Sequence, residues 1–167
     1  MGTLKKTIRQ MTPASLLSAY HFSLALLGAI FYRFPSRSLI VIGVTGTNGK
    51  SSTVEFINSI FEAAGYTTAL SSSIRTKIGA HSHQSTGRSM PGRFFIQRLL
   101  RQALDTHCSV AIIEMTSEGV KQHRHRCIAL DCLVFTNLAP EHIESHGSYE
   151  AYADAKFQLG LALQRSA

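Results

Sequence analysis

A glycine-rich segment that follows an apolar run carries the residue types that bind phosphate. Residues 39–52 read LIVIGVTGTNGKSS: an apolar stretch, a turn with Gly46 and Gly49, and then Lys50 and Ser51. A strand that ends in such a turn and continues as a helix points successive backbone N–H groups at one spot. The lysine ammonium suits phosphate oxygens, and the serine hydroxyl suits a Mg²⁺ ion. The segment therefore predicts a nucleoside-triphosphate site.

The residues on both sides of the turn favour a strand–loop–helix unit. Residues 39–44 are apolar and mostly β-branched, as in a strand buried on both faces of a parallel sheet. After the turn, apolar residues recur at three- and four-residue steps and predict one buried helix face, formed by Val54, Ile57, Phe61 and Ala64. A strict phosphate-loop pattern would have glycine in place of Val44. The alternative is a plain glycine turn with an exposed lysine.

Strand and helix patterns alternate along the rest of the chain. Strands are predicted at 67–72, 110–114 and 133–137, a polar loop at 73–90, and helices at 91–107 and 149–164. The first of these helices has Phe95, Leu99 and Ala103 as its predicted buried face. Such alternation predicts an α/β fold with a mostly parallel sheet and helices on both faces. Ligand sites then lie at the carboxyl ends of the strands, where Glu114 and Asn137 stand near the phosphate loop.

Composition limits the classes of protein and partner. The 167 residues suit one domain with a core, and three cysteines without C-x-x-C spacing argue against a disulfide framework and fit a reducing cytoplasm. The net charge of +7 is not accompanied by a nucleic-acid motif, so no nucleic-acid partner is predicted. Small polyanions such as ATP and a nucleotide-linked substrate explain the charge, as does a solvated basic face.

An apolar segment precedes the phosphate-binding unit. Residues 14–32 contain no Asp, Glu, Lys or Arg, and basic residues stand on both sides of them. Three interpretations remain open: a helix docked on the protein or a partner, an interfacial helix, and a membrane span. We expect a basic, apolar helical segment at 1–38 and the nucleotide-binding domain at 39–167. The expected location is the cytoplasm, with peripheral membrane contact through residues 14–32 held open.

Four ordered segments together resemble the central ATP-binding domain of the Mur ligases. They read TGTNGKSS, SMPGRFFIQ, IEMTSEGVKQHR and VFTNLAPEHIESHGSYEAYADAK, and the likeness covers about residues 39–160. It is greatest to the ligases of the UDP-N-acetylmuramoyl-tripeptide synthetase type, which add the third residue. In that family the valine in place of the first loop glycine is usual. The resemblance implies ATP and Mg²⁺ as cofactors of an amide ligase in peptidoglycan synthesis.

The resemblance also implies roles for individual residues. The implied ATP-binding residues are Thr45, Gly46, Thr47, Asn48, Gly49, Lys50, Ser51, Ser52 and Asn137. Lys50 would hold the β- and γ-phosphates, and Asn137 would contact the adenine side. The implied catalytic residues are Lys50, Glu114, His142 and Lys156, and the implied metal ligands are Ser51, Glu114, His142 and Lys156. Lys156 matches a lysine that the family carbamylates, and a carbamate offers Mg²⁺ hard anionic oxygens.

The implied substrates are a nucleotide-sugar peptide and an amino acid. Residues that match the family's substrate contacts are Ser89, Met90, Thr116, Gln122 and Arg124. The chain departs from the family where Thr-Ser-Glu at 116–118 replaces Ser-Ser-His and where Met90 replaces a hydroxyl residue. In the implied reaction, the γ-phosphate passes to a substrate carboxylate, and an amine then displaces phosphate from the acyl phosphate.

Other architectures and functions fit the same residues. The family's first and third domains have no counterpart in these residues, so we expect an incomplete domain at the C-terminal end and a weakly active or inactive chain. One alternative is an ATP-binding module that needs a partner chain or a further ligase domain. A second is a folylpolyglutamate-synthetase-type ligase, which usually has glycine where this chain has Ser51. A third is a membrane-tethered scaffold with a degenerate site.

Overall fold

The computed structural model describes residues 13–84, 89–139 and 147–163. The elements in chain order are α1 (Ala14–Phe31), a 3₁₀ helix (Pro35–Ser38), β1 (Ile40–Thr45), α2 (Lys50–Ala63), β2 (Thr68–Ser71), β3 (Arg75–Ile78), β4 (His81–Gln84), α3 (Arg93–Asp105), β5 (Val110–Glu114), α4 (Ser117–Lys121), β6 (Cys132–Phe135) and α5 (Tyr149–Leu163).

The described strands form one six-stranded sheet in the order β4-β3-β2-β5-β1-β6. Strands β2, β5, β1 and β6 run parallel, while β3 and β4 form an antiparallel hairpin at one edge. Strand β1 therefore lies between β5 and β6, and all three end at the same edge of the sheet. The predicted α/β class with a mostly parallel sheet is confirmed.

Helices cover both faces of the sheet, because alternate residues of the central strands point to opposite sides. On one face, Val54 of α2 packs with residues such as Ile42 and Ile112. On the other face, residues of α3 and α5, among them Leu100 and Leu159, pack in one cluster with strand residues. The central strands are apolar on both sides and carry the buried core, as the sequence pattern predicts.

The prediction of a loop over 73–90 is wrong for part of that range. Strands β3 and β4 occupy it, joined at a turn that contains Gly79 with φ +56°. The signal was missed because all four residues of β4 are exposed, so no apolar alternation marks this edge strand. Several boundaries also differ by one or two residues. Helix α3 begins at Arg93 rather than at Pro91, and β6 ends at Phe135 rather than at Asn137.

Helix α1 confirms the predicted apolar N-terminal helix and docks on the domain. Ala25 and Ala29 are buried, and Gly28 faces α3 so closely that a Cβ there would lie 3.6 Å from Phe94 Cδ2. Within the described residues, no helix has both the length and the apolar character needed to cross a membrane. The contacts of Ala25, Gly28 and Ala29 support a helix docked on the protein. The division at residue 38 stays a prediction.

Candidate functional site

Two glycines shape the turn after β1. Gly46 has φ +146° and Gly49 has φ +78°, a region that residues with a side chain rarely adopt. A Cβ on Gly46 would lie 1.9 Å from Thr136 Oγ1, so the loop passes directly against the segment after β6. Only glycine fits this position, because any side chain would meet both the backbone strain and the collision.

Helix α2 begins where the turn ends, and its N-terminus is open. Gly49 is the N-cap residue, and no acidic residue lies in the first turn. Within the part of the chain that the structure describes, no side chain caps this end of the helix. The first N–H groups of a helix carry partial positive charge and attract anions. Lys50 is the first helical residue, and its ammonium donates to Thr47 O over 2.6 Å. An ammonium and open N–H groups thus meet at one place, as phosphate binding requires.

A cluster of oxygen atoms joins the start of α2 to the end of β5. Ser51 Oγ donates to Glu114 Oε2 over 2.8 Å, and Ser51 Oγ lies 2.7 Å from Ser73 Oγ. Ser73 N also donates to Glu114 Oε2, over 2.9 Å. Glu114 is buried, with 2% of its surface exposed. Carboxylate and hydroxyl oxygens are the ligands that Mg²⁺ prefers, so this donor set fits that ion.

Ser73 is a site residue that the sequence analysis missed. It lies two residues after Ser71, the last residue of β2, which pairs with β5. Ser72 shapes the turn by accepting hydrogen bonds from the N–H groups of Ile74 and Arg75. Ser73 could have been predicted, because it follows a predicted parallel strand and ligand sites lie at the carboxyl ends of such strands.

The segment after β6 holds the other side of the glycine turn. Asn137 Oδ1 accepts from Asn48 N over 2.9 Å and from Thr47 N over 3.2 Å, and Asn137 Nδ2 donates to Asn48 O over 3.1 Å. Thr136 Oγ1 donates to the same carbonyl over 2.7 Å. Asn137 therefore fixes the loop backbone in this structure, and its contact with adenine stays a prediction.

Helix α5 reaches the loop through two buried side chains. Lys156 donates to Gly46 O, and its Nζ lies 4.7 Å from the centre of the Tyr152 ring. Tyr152 Oη is 2.9 Å from Thr47 Oγ1. The structure thus brings Lys50, Ser51, Glu114 and Lys156 to one loop, although its described residues do not include His142.

The residues predicted to contact the nucleotide-sugar peptide form a second cluster. Arg124 Nη1 donates to Met90 O, and Arg124 Nη2 donates to Gln122 Oε1 over 2.8 Å. The segments at 89–90 and 116–124 therefore meet although they lie far apart in sequence. Ser89 is half-buried next to this cluster.

Two members of that cluster have structural roles. The Met90 side chain is buried, with 2% of its surface exposed, because Gly119 leaves room for its sulfur; a Cβ on Gly119 would lie 2.1 Å from Met90 Sδ. Thr116 Oγ1 accepts from Gly119 N over 3.1 Å and caps α4. In this structure the Met90 side chain is not open to a ligand, and the substrate roles of both residues stay predictions.

A cavity of about 850 Å³ lies between α3 and the hairpin of β3 and β4. Its lining includes Pro91, which directly follows Met90, together with the basic or titratable side chains of His81, His83 and Arg98. The cavity is large enough for a drug-sized ligand.

His125 is buried beside the same cluster, with 3% of its surface exposed. Burial, followed by the charges of Arg126 and His123, lowers the pKa of His125 from 6.5 to about 4. Neither ring nitrogen has a hydrogen-bond partner among the described residues. The ring is therefore neutral in the folded chain at pH 7.

This pKa predicts an acid-sensitive fold. The unfolded chain binds a proton at His125 more readily than the folded chain does. The contribution of His125 to the free energy of unfolding is therefore complete above pH 6.5 and is lost as pH falls towards 4. We expect His125 to account for a loss of about 3 kcal/mol in the free energy of unfolding over that interval. Urea denaturation at several pH values measures it: His125→Gln should show a flatter pH profile than the wild type, whereas the exposed control His81→Gln should follow the wild type. Equal slopes in all three proteins would contradict the assignment.

Comparison with known proteins identifies similar sequences. Residues 44–166 match the family model described as the Mur ligase middle domain. The chain is 39% identical over 142 residues to a UDP-N-acetylmuramyl-tripeptide synthetase of Treponema pallidum, covering 81% of this chain and 26% of that protein. It is 39% identical over 139 residues to a UDP-N-acetylmuramoyl-L-alanyl-D-glutamate–2,6-diaminopimelate ligase of Chlorobium phaeobacteroides. That match covers 82% of this chain and 27% of the relative. The chain thus spans about a quarter of the length of these relatives.

Solved structures share the fold. A UDP-N-acetylmuramoyl-L-alanyl-D-glutamate–2,6-diaminopimelate ligase superposes with a TM-score of 0.65 at 27% identity, over 72% of this chain and 24% of that one. Escherichia coli FolC, solved with DHPP and ADP, superposes with a TM-score of 0.60 at 20% identity, over 87% of this chain and 43% of FolC. At that identity FolC is a match in fold alone.

Proposed function

Because the chain belongs to the Mur ligase family, we propose that it is the ATP-binding part of an ATP-dependent ligase that forms amide bonds. Its substrate would be a UDP-N-acetylmuramoyl-peptide of peptidoglycan synthesis, whose carboxylate is joined to an amino acid. The observation that carries the proposal is the bond from Ser51, at the start of α2, to the buried Glu114 at the end of β5. That bond supports the proposal because it joins a buried carboxylate to the start of α2, next to the glycine turn that we propose to bind phosphate.

The proposed roles follow from the chemistry of each group. The backbone of residues 45–52 and the Lys50 ammonium bind the phosphates of ATP. Ser51, Glu114 and Ser73 hold Mg²⁺ through oxygen atoms, and His142 is a proposed ligand outside the described residues. When bound, the ion neutralises negative charge on the phosphates during transfer to the carboxylate. The protein then contributes position and fixed positive charge.

Lys156 has two proposed states. In the structure its Nζ donates to Gly46 O and lies over the Tyr152 ring. Carbamylation would join the neutral amine to CO₂ and release a proton. A carbamate would add anionic oxygens to the metal site. This modification is part of the proposal.

We propose that the nucleotide-sugar peptide binds on the side of the domain where the segments 89–90 and 116–124 meet. Arg124, Gln122, Thr116 and Ser89 supply polar groups there, and the neighbouring cavity carries Arg98. Cationic and amide groups suit a substrate with phosphates and carboxylates. Residues that select the amino acid are expected outside this chain, since it spans about a quarter of its relatives. The proposed location is the cytoplasm.

A second candidate function follows from the fact that the chain spans only about a quarter of the length of its relatives. The chain would be an ATP-binding module that needs a further domain or partner chain for ligation. This version predicts MgATP binding without phosphate release until that domain is added. Phosphate release by the chain alone, in the presence of substrate peptide and amino acid, would exclude it.

The metal site is tested by removing one charge while keeping the shape of the side chain. In Glu114→Gln the affinity for ATP measured with Mg²⁺ should fall about tenfold, towards the value measured with EDTA, because a charged ligand is lost. Ser73→Ala should have a smaller effect in the same direction. Isothermal titration calorimetry gives both affinities, and the exposed Glu150→Gln is the matched control. An unchanged response to Mg²⁺ in Glu114→Gln would remove this carboxylate from the metal site.

A further inference from the structure

Helix α1 has a second apolar face that the described residues of the domain leave uncovered. Five large apolar side chains, each between 54% and 72% exposed, lie on it: Leu16, Tyr20, Leu27, Ile30 and Phe31. Their spacing of three, four and seven residues places them on one side of the helix. The opposite side is occupied, because Ala25, Gly28 and Ala29 are buried.

The contacts of the docked side fix the orientation of α1. Ser18 Oγ lies 2.7 Å from His123 Nε2, and the Phe22 ring meets the His123 ring edge-on at 6.3 Å. One side is thus held along the domain while the exposed stripe faces away from it. A helix fixed in this way can lie along a surface, with only one face available for burial.

The charges around α1 indicate which surface fits. Residues 1–38 contain five Lys or Arg and no Asp or Glu, and the first acidic residue of the chain is Glu55. Arg33 lies two residues and Arg37 six residues after Phe31, the last residue of the helix, and both are exposed. Among the described residues, no carboxylate forms a salt bridge with either arginine. An apolar face bordered by unneutralised cations is complementary to a bilayer with anionic headgroups.

We propose that α1 binds the surface of an anionic phospholipid bilayer, with Leu16, Tyr20, Leu27, Ile30 and Phe31 buried at the headgroup boundary and Arg33 and Arg37 against lipid phosphates. The helix lies along the membrane plane because its other side remains docked on α3 and His123. This surface shares no residue with the ATP site, so the inference goes beyond the proposed ligase function. It would keep the domain at the membrane.

Vesicle flotation with the whole chain tests the proposal. The wild type should float with phosphatidylcholine vesicles that contain phosphatidylglycerol, and added salt should weaken this binding. The double variant Leu27→Glu/Phe31→Glu should lose about 100-fold in affinity, since each large apolar side chain contributes roughly tenfold or more. Arg33→Gln/Arg37→Gln should lose about fivefold per charge on anionic vesicles.

The matched control lies on α2. Phe56 and Ile60 are 69% and 67% exposed and are also four residues apart, so Phe56→Glu/Ile60→Glu makes the same chemical change on another helix. This variant should float like the wild type. All variants should keep their affinity for MgATP, which separates a failure here from a failure of the ligase proposal. Absence of wild-type flotation, equal loss in both double variants, or a dimer that depends on Leu27 and Phe31 without vesicle binding would each overturn the inference.

Discussion

The variant Lys50→Ala is expected to lose nearly all affinity for MgATP. The Lys50 ammonium lies at the glycine turn and at the open start of α2, where a triphosphate would place its negative charge. A hydrogen bond to a charged group contributes about 3 kcal/mol at most, which corresponds to roughly a 100-fold change in affinity. Isothermal titration calorimetry with ATP and Mg²⁺ measures the loss directly.

The control for Lys50→Ala removes a positive charge elsewhere. The Arg101 side chain is 40% exposed and pairs with Asp105 one turn along α3. Arg101→Ala therefore changes the net charge equally without touching the loop. Its affinity for MgATP should stay within about twofold of the wild type, because surface charges are screened by salt. Similar losses in both variants would mean that net charge, rather than a bound phosphate at Lys50, explains nucleotide binding.

The variant Gly46→Ala should both destabilise the fold and disrupt the loop. Its φ of +146° is strained for alanine, and the new Cβ would lie 1.9 Å from Thr136 Oγ1. Either the loop or the segment after β6 must move, and these two segments hold each other through Asn48 and Asn137. We expect a loss of about 3 kcal/mol or more in the free energy of unfolding, measured by urea denaturation, together with a loss of MgATP binding.

Gly49→Ala separates backbone strain from collision. Gly49 has φ +78°, but no atom of the described residues lies within 4 Å of a Cβ built on it. Only the cost of the left-handed backbone remains, about 1 kcal/mol. If Gly46→Ala were no more destabilising than Gly49→Ala, the close approach of the loop to Thr136 would not exist in solution.

Much of the fold could be predicted because the central strands are apolar on both faces. Burial of residues 41–45 and 110–114 follows from their mostly apolar composition, although Ile40 at the start of β1 is exposed. The parallel order follows from alternation with helices. The family prediction from four ordered segments is confirmed by the match over residues 44–166. The site could be predicted in outline because parallel strands bring Ser51 and Glu114 to one edge.

The remaining features depend on contacts that periodicity does not encode. The edge strand β4 has only polar, exposed residues, and α4 has five residues, too few to display a helical repeat. The carboxylate contact of Ser73 requires the register of β2 beside β5, which a single sequence does not specify. Met90 could be predicted as a loop residue, but its burial depends on the absence of a side chain at Gly119.

The central claim is that this chain binds ATP through Mg²⁺ at the start of α2 and the end of β5. The most direct test is a calorimetric titration of the wild-type chain with ATP, once with Mg²⁺ and once with EDTA. We predict one ATP bound per chain, with an affinity that falls about tenfold or more when Mg²⁺ is removed. Absence of ATP binding, or binding of equal strength in EDTA, would contradict the assignment of the site.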